Sequence, residues 1–440
     1  MKSFEESPNI VLLVMDTVRA QNVSHYTSEL QTTPFFDKVA EEGVVFENAY
    51  ANSIWTLPSH YSLFTGLSPI EHGVKSKEFR GRIDQKTLPE KLKDKGYQTV
   101  GVSNNGYVSP MYGFDKYFDE FFFNTEEPEL NSLILFPDDK NFEKMVKGSR
   151  EGKWANRRQK YYAFAKNSLF SLSPKSLVNG VYYVMTQKVM RSVDDGAQAS
   201  NQRAQDLISQ EPYFLFVNYV EAHSPYKPPR EYARKFIPEE DIEKAYELAD
   251  EQGLNRLRDG ESEGKESELL EKLYNAEIAY LDHKVKELTK SLEQNSERET
   301  VTIMTSDHGE YFGENNLWEH MGRIGEEVLK VPLAIKNIGN FSRKEVFSLS
   351  KINDLVLNLS NLSPEIPQNT RSIAHYGGLE THQWDIDSED FDEKYLREQV
   401  SLKAQDKWVL KDRKTFESEG MTNNEKDRFN TLLTNLLFKK

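Results

Sequence analysis

The run Glu299-Thr300-Val301-Thr302-Ile303 leads into Met304-Thr305-Ser306-Asp307-His308-Gly309, a β-rich apolar segment that ends in an acid, an imidazole and a glycine. A strand that carries adjacent Asp307 and His308 to its carboxyl end is suited to hold a metal ion, because the ligand crevice of an open α/β sheet lies at those ends. A second apolar strand, Asn9 to Met15, runs straight into Asp16. One acid at a strand end is commonly just a turn residue. Two of them, one followed by His-Gly, point to a shared site. Between them lies the stretch from Asn52 to Gly66, which contains Thr56-Leu57-Pro58-Ser59-His60. A strand precedes it and a helix follows, so Thr56 falls at or near a helix N-terminus, where free N–H groups and the helix dipole favour an anion. A hydroxyl there, touching a metal held by Asp16, Asp307 and His308, can lose its proton and act as a nucleophile. Taken alone, Thr56 reads as a helix cap.

The elements that must position these residues alternate between strand and helix. Pro34 begins a helix after Thr33. Val44 to Ala51 reads as a strand, Leu88 to Lys95 as a short helix ending at Gly96, and Gln98 to Ser103 as the next strand. Pro212 to Val220 is a continuous apolar run of the kind buried on both faces. Ser267 to Glu293 reads as a long amphipathic helix with Ser267 as its cap, followed by the strand at 300–304 and another at 331–335. This alternation predicts an α/β sandwich with a mostly parallel central sheet. Residues 1–340 form the expected catalytic domain, with insertions near 140–190 and 230–266, the second of them a charge-rich surface segment. Residues 341–440 form an expected small α+β C-terminal subdomain, with antiparallel strands at 400–404 and 407–411 and a terminal helix at 425–439.

The chain has 440 residues, a net charge of -15 and no cysteine. The negative charge disfavours nonspecific nucleic-acid binding, and disulfides and thiolate metal sites are excluded. The first residues are short, polar and acidic rather than signal-like. No stretch approaches the ~20 apolar residues of a transmembrane helix. The expected location is cytoplasmic. One segment departs from the acidic character: Lys144, Lys147, Arg150, Lys153, Arg157, Arg158, Lys160 and Lys166 sit among Trp154, Tyr161, Tyr162 and Phe164. It reads either as a solvated helical insertion or as a lid that attracts an anionic substrate.

The ordered set of motifs resembles the sulfatase branch of the alkaline phosphatase superfamily. It comprises Asn9 to Asp16 with Arg19, Thr56 to His60 with Leu63-Phe64-Thr65-Gly66, and His72-Gly73-Val74. Further on come Ser103-Asn104-Asn105, His223-Ser224-Pro225-Tyr226, Thr305 to Gly309, and Glu326 to Leu333. The resemblance implies an alkaline-phosphatase-like α/β/α sandwich. It places Asp16, Asp307 and His308 on metal-ligand positions and Thr56 on the nucleophile that also touches the metal. It places His223 and His320 against the charged ester or its leaving group, and His60 and Asn104 among the substrate-binding positions. One divalent cation is implied, Mn²⁺, Mg²⁺, Ca²⁺ or Zn²⁺. Asp282 and His283 lie on a predicted helix and read as structural or surface residues, and His72 as structural.

Two departures bear on the chemistry. Sulfatases typically carry Cys-x-Pro-x-Arg at the nucleophile, with the Cys oxidised to formylglycine; here Thr56 stands for the Cys and His60 for the Arg. Oxidising threonine gives a ketone, so the formylglycine route is closed. Thr17 stands where relatives often have a second acid. The expected function is a metal-dependent hydrolase of an anionic ester, phosphate mono- or diester favoured, through a covalent Thr56 ester. The alternatives are a sulfatase with an unmodified nucleophile, phosphoryl transfer to a glycan or lipid acceptor, and a non-catalytic binding protein. The expected partner is an anionic small-molecule, glycan or lipid-headgroup ester.

Overall fold

In the computed structural model β1 (Asn9–Met15) is buried along its whole length. Ile10, Leu12 and Val14 enter one core with Leu57, Tyr61 and Phe64, while Val11, Leu13 and Met15 enter a second with Val39, Tyr274 and Leu281. A strand covered on both faces explains the unbroken apolar run. The structure describes all residues except 1, 76–82, 125–195, 259–263, 364, 369–371, 377–398, 405–406, 412–415, 428–429 and 432–440. The basic segment at 144–166 and most of the expected terminal helix lie outside the described residues.

Parallel partners flank β1 on both sides: β5 (Tyr213–Tyr219) and β6 (Thr300–Thr305). The sheet also contains β2 (Val44–Tyr50), β3 (Gln98–Ser103) and β4 (Glu120–Phe123). A small ribbon of β7 (Tyr311–Phe312) and β8 (Trp318–Glu319) follows β6 and stands apart from the large sheet. The sheet then resumes with β9 (Lys330–Val331), β10 (Leu333–Lys336) and β11 (Phe341–Ser348). Among the described residues the order is β11-β2-β10-β6-β1-β5-β3-β4, with β9 paired to β2. Among the described strands of this sheet, β9 and β10 alone run antiparallel to the rest. The expected α/β sandwich with a mostly parallel sheet is therefore present. Helices α1 (Pro34–Glu42) and the long α7 (Gly264–Asn295) cover one face. Helices α2 (Thr56–Thr65), α3 (Leu88–Lys93) and α8 (Ile352–Ser360) cover the other.

Three expectations need correction. Ser267 does not cap α7, which begins at Gly264; its hydroxyl donates to the Phe312 carbonyl instead. The charge-rich segment at 230–266 is not a mere surface insertion. It folds into α5 (Ile242–Leu248) and α6 (Glu251–Arg258), following α4 (Ala197–Leu207), and buries Ile242, Ala245, Leu254 and Leu257 in the core beside α7. The sheet also crosses the boundary expected at 340. β11 pairs in parallel with β2, Phe341 opposite Val44, and α8 packs into the main core. The separate antiparallel sheet, β12 (Ser372–Tyr376), β13 (Gln399–Ala404), β14 (Lys407–Lys411) and β15 (Phe416–Glu419), starts later. It is fastened to the loop before α2: the His375 N–H donates to the Asn52 carbonyl (2.9 Å) and the Ser53 hydroxyl to the His375 carbonyl (2.9 Å). Among the described residues no helix is long and apolar enough to cross a membrane.

Candidate active site

Asp16 leaves β1, and Asp307 and His308 leave β6. The two strands pair with Val14 opposite Thr305, so each acid lies two residues past the same rung. Thr56 is the first residue of α2, a helix buried along all ten residues. The four groups converge at the carboxyl edge of the sheet, as the strand ends predicted. Ligand atoms of Asp16, Asp307 and His308 all lie within 4.8 Å of one another. His308 Nε2 is 3.4 Å from Thr56 Oγ1, 3.5 Å from Asp307 Oδ2 and 3.9 Å from Asp16 Oδ1.

The surrounding hydrogen bonds leave one face of this cluster open. Asn105 donates its side-chain amide to Asp16 Oδ2. Asp307 Oδ1 accepts from the backbone N–H of Thr17 (3.2 Å) and of His308 (2.9 Å). Thr17 adopts a left-handed backbone (φ 59°), which turns its N–H toward Asp307 while its hydroxyl donates to the Ala222 carbonyl (2.6 Å). The other two oxygens, Asp16 Oδ1 and Asp307 Oδ2, are buried without a hydrogen-bond partner. Bare carboxylate oxygens in a dry interior are costly unless a cation meets them. Burial, and then the Asp307 charge, push the Asp16 carboxyl well above its usual range. His308 Nδ1–H donates to the Gly309 carbonyl (3.0 Å), which leaves Nε2 as the nitrogen able to ligate a metal. Burial lowers this imidazole to about 4, so it is neutral, as a metal ligand must be. Two carboxylates, one neutral imidazole and a hydroxyl fit a hard or borderline divalent cation.

The other expected site residues divide into two groups. His320 is buried and stands beside the cluster, its ring centroid 4.6 Å from that of His308 and 5.1 Å from that of half-buried His223, with Trp55 edge-on at 5.4 Å. Its Nδ1 lies 3.2 Å from Glu310 Oε1. Burial, and then His223, lower the His320 imidazole to about 3. His60 is placed differently from a substrate contact. It is fully buried, Nδ1 donates to the Thr56 carbonyl (2.8 Å), and Nε2 meets the Asn218 amide (3.2 Å). With both ring nitrogens engaged inside the fold, His60 braces the first turn of α2. Asn104 donates its amide to Glu221 (3.1 Å), and its neighbour Asn105 is the one that reaches Asp16. Asp282 is structural, as expected: from α7 it accepts the backbone N–H groups of Phe35 and Phe36 (both 2.9 Å) at the start of α1. His283 is on the surface, paired with Glu287 (3.1 Å). His72 is buried and hydrogen-bonded to Ser62 (3.0 Å).

Sequence reasoning missed Asn105, Glu310 and Glu319. Asn105 belonged to a segment already singled out, and Glu310 directly follows the Asp-His-Gly run; an acid in that position was itself a signal. Glu319 precedes His320, accepts from the Ser224 hydroxyl (3.0 Å) and pairs with Arg258 at the end of α6.

The profile of the sulfatase family matches residues 8–366. The chain is 26% identical over 383 residues to an arylsulfatase of Clostridium perfringens, covering 82% of this chain and 74% of that protein. It is 33% identical over 114 residues to an N-acetylglucosamine-6-O-sulfatase of Bacteroides thetaiotaomicron, a match that spans 26% of this chain and only 20% of that protein. Its fold is similar to that of a phosphonate monoester hydrolase from Silicibacter pomeroyi, with a TM-score of 0.64 at 13% identity over 97% of this chain and 94% of that one. The chain belongs to the sulfatase family of the alkaline phosphatase superfamily and is an ester hydrolase.

Proposed function

We propose that the protein hydrolyses an anionic ester of the phosphate type in two displacements, with Thr56 carrying the transferred group between them. The observation that carries this reading is the placement of the Thr56 hydroxyl, at a helix N-terminus and 3.4 Å from His308 Nε2, the nitrogen that also lies 3.5 and 3.9 Å from the buried, unbonded oxygens of Asp307 and Asp16. Asp16, Asp307, His308 and Thr56 would hold one divalent cation, which when bound lowers the pKa of a coordinated hydroxyl and neutralises charge on the transferred group. The first N–H groups of α2 face the incoming anion and favour its negative oxygens. In the first displacement Thr56 Oγ1 bonds to the central atom of the ester as the bond to the leaving oxygen breaks. The hydroxyl proton is lost, and the leaving oxygen takes up a proton. In the second, water cleaves the Thr56 ester and restores the hydroxyl. His320 and His223 form the wall beside this centre; the Nδ1 of each is engaged, by Glu310 and by the Ser224 carbonyl, so Nε2 is the nitrogen through which each would exchange a proton with the ester or its leaving group.

Threonine chemistry favours phosphate over sulfate. An aldehyde hydrate can expel a bound sulfate by breaking its own C–O bond, because a second hydroxyl sits on the same carbon. Thr56 has no such hydroxyl, so its ester must be opened by water at the central atom. The fold likeness to a phosphonate monoester hydrolase supports the same choice. The sulfatase relatives support the alternative, a sulfuric ester. The test is turnover of aryl phosphate, phosphodiester, phosphonate monoester and sulfate by metal-stripped and reconstituted protein. Metal-dependent turnover of phosphorus esters in excess of sulfate is expected. Turnover of sulfate alone would transfer the assignment to a sulfatase with an unmodified nucleophile.

A further inference from the structure

We infer that Glu310 is a positioning residue for His320, a role that rests on the reading above in which His320 meets the ester. Glu310 is fully buried, and both of its carboxyl oxygens are engaged. Oε1 lies 3.2 Å from His320 Nδ1, and Oε2 accepts from the Tyr226 hydroxyl at 3.1 Å. The backbone beneath it is clamped. Arg19 donates to the Glu310 carbonyl (3.1 Å), and a Cβ on the preceding Gly309 would come within 2.1 Å of the Glu327 carbonyl oxygen. Tyr226 is itself locked between Tyr274 and Phe312, with ring centroids 5.5 and 5.8 Å away. The carboxyl group therefore has one orientation available, and that orientation presents Oε1 to His320.

The far side of the arrangement is equally constrained. Glu319, directly before His320, has a left-handed backbone (φ 56°), a conformation that is strained for a residue with a Cβ. Its side chain is held by the Ser224 hydroxyl and by Arg258 of α6. Trp55, His308 and His223 confine the His320 ring on its faces and edges. With Nδ1 committed to Glu310, Nε2 is the ring nitrogen left for a substrate. A buried carboxyl group adds nothing to packing that a methionine could not supply, and it carries a desolvation cost. Fixing the orientation of an imidazole next to the reacting centre is a use that offsets this cost, as orienting partners do for histidines in other sites.

The experiment compares Glu310→Met, Glu310→Gln and Tyr226→Phe, each alone and combined with His320→Ala, in the metal-loaded full chain. Glu310→Met is expected to lower kcat by about tenfold to a hundredfold. Glu310→Gln should restore most of that loss, since an amide still pairs with Nδ1. Tyr226→Phe, which keeps the ring packing, should cost about fivefold. In the His320→Ala background neither Glu310→Met nor Tyr226→Phe should lower kcat further. If either variant multiplies the loss of His320→Ala in full, Glu310 acts on the fold and the inference is overturned, while the reading of His320 stands. If His320→Ala turns over like wild type, the reading itself fails and takes this inference with it. Tyr226→Phe keeps the test decisive should Glu310→Met fail to fold.

Discussion

The Asn105 amide donates to one carboxylate oxygen of Asp16, and the other oxygen of Asp16 is left bare toward Asp307 and His308. This bond chooses which oxygen of Asp16 is offered as a ligand. Asn105 is also fixed from its own loop, because its side-chain oxygen accepts the Tyr107 N–H (2.7 Å). Asn105→Ala should weaken cation affinity by about tenfold to a hundredfold, the usual effect of losing a partner that orients a ligand. Titration of the apoprotein with Mn²⁺ or Zn²⁺ measures it. An unchanged affinity would mean that Asp16 is not oriented in this way.

His60 falls on the arginine position of the sulfatase motif that the sequence resembles, yet its contacts are internal. Burial lowers its imidazole, with the Asp307 charge opposing, so a neutral ring is favoured between the Thr56 carbonyl and the Asn218 amide. His60→Ala should destabilise the fold by roughly 2–4 kcal/mol, through a cavity and a lost hydrogen bond. It should lower kcat while leaving KM within a factor of about two. Denaturant melts and steady-state kinetics decide the matter. A large rise in KM at unchanged stability would return His60 to the substrate-binding set.

Asp282 caps α1 from across the fold. Thr33, the residue in the cap position, makes no side-chain cap bond, and Asp282 supplies the acceptors instead. Burial, opposed by those two N–H groups, raises the Asp282 carboxyl to about 7. A folded-state value above the unfolded value, about 4, means that the folded chain holds the proton more tightly. The stability contributed is then full below about pH 4 and is lost as pH rises through about 7. The stability difference between wild type and Asp282→Ala should therefore be larger at pH 5 than at pH 8. Urea unfolding at the two values measures it, and a difference that grows with pH would refute the assignment. Activity per folded molecule should not change.

The parts of this site that the sequence made legible are those where one side-chain type sits at one strand end. Asp16, Asp307 and His308 were readable because an apolar run stops at each, and Thr56 because a strand and a helix meet there. The choice between Asn104 and Asn105 was not readable: side chains alternate past the end of β3, and a shift of one residue exchanges their directions. The identity of α5 and α6 was hidden by charge, since their few buried positions are scattered among acids and bases. The boundary at 340 failed for a different reason. β11 joins the sheet by pairing with β2, a partner nearly 300 residues earlier, and local sequence carries no trace of that register.

Hydrolysis in two displacements requires that Thr56 become covalently bound during turnover. Thr56→Ser should keep part of the rate, because the hydroxyl survives while the β-branch that restricts its rotamer is lost. Thr56→Ala should lose several orders of magnitude in kcat, yet still bind a cation through Asp16, Asp307 and His308. The direct measurement is mass spectrometry of protein quenched in acid during turnover of a slow phosphorus ester. A peptide containing Thr56 should appear with the mass of the transferred group added, and be absent in Thr56→Ala. Hydrolysis by Thr56→Ala at the wild-type rate, with no adduct on the wild-type peptide, would contradict the covalent step and make water the nucleophile.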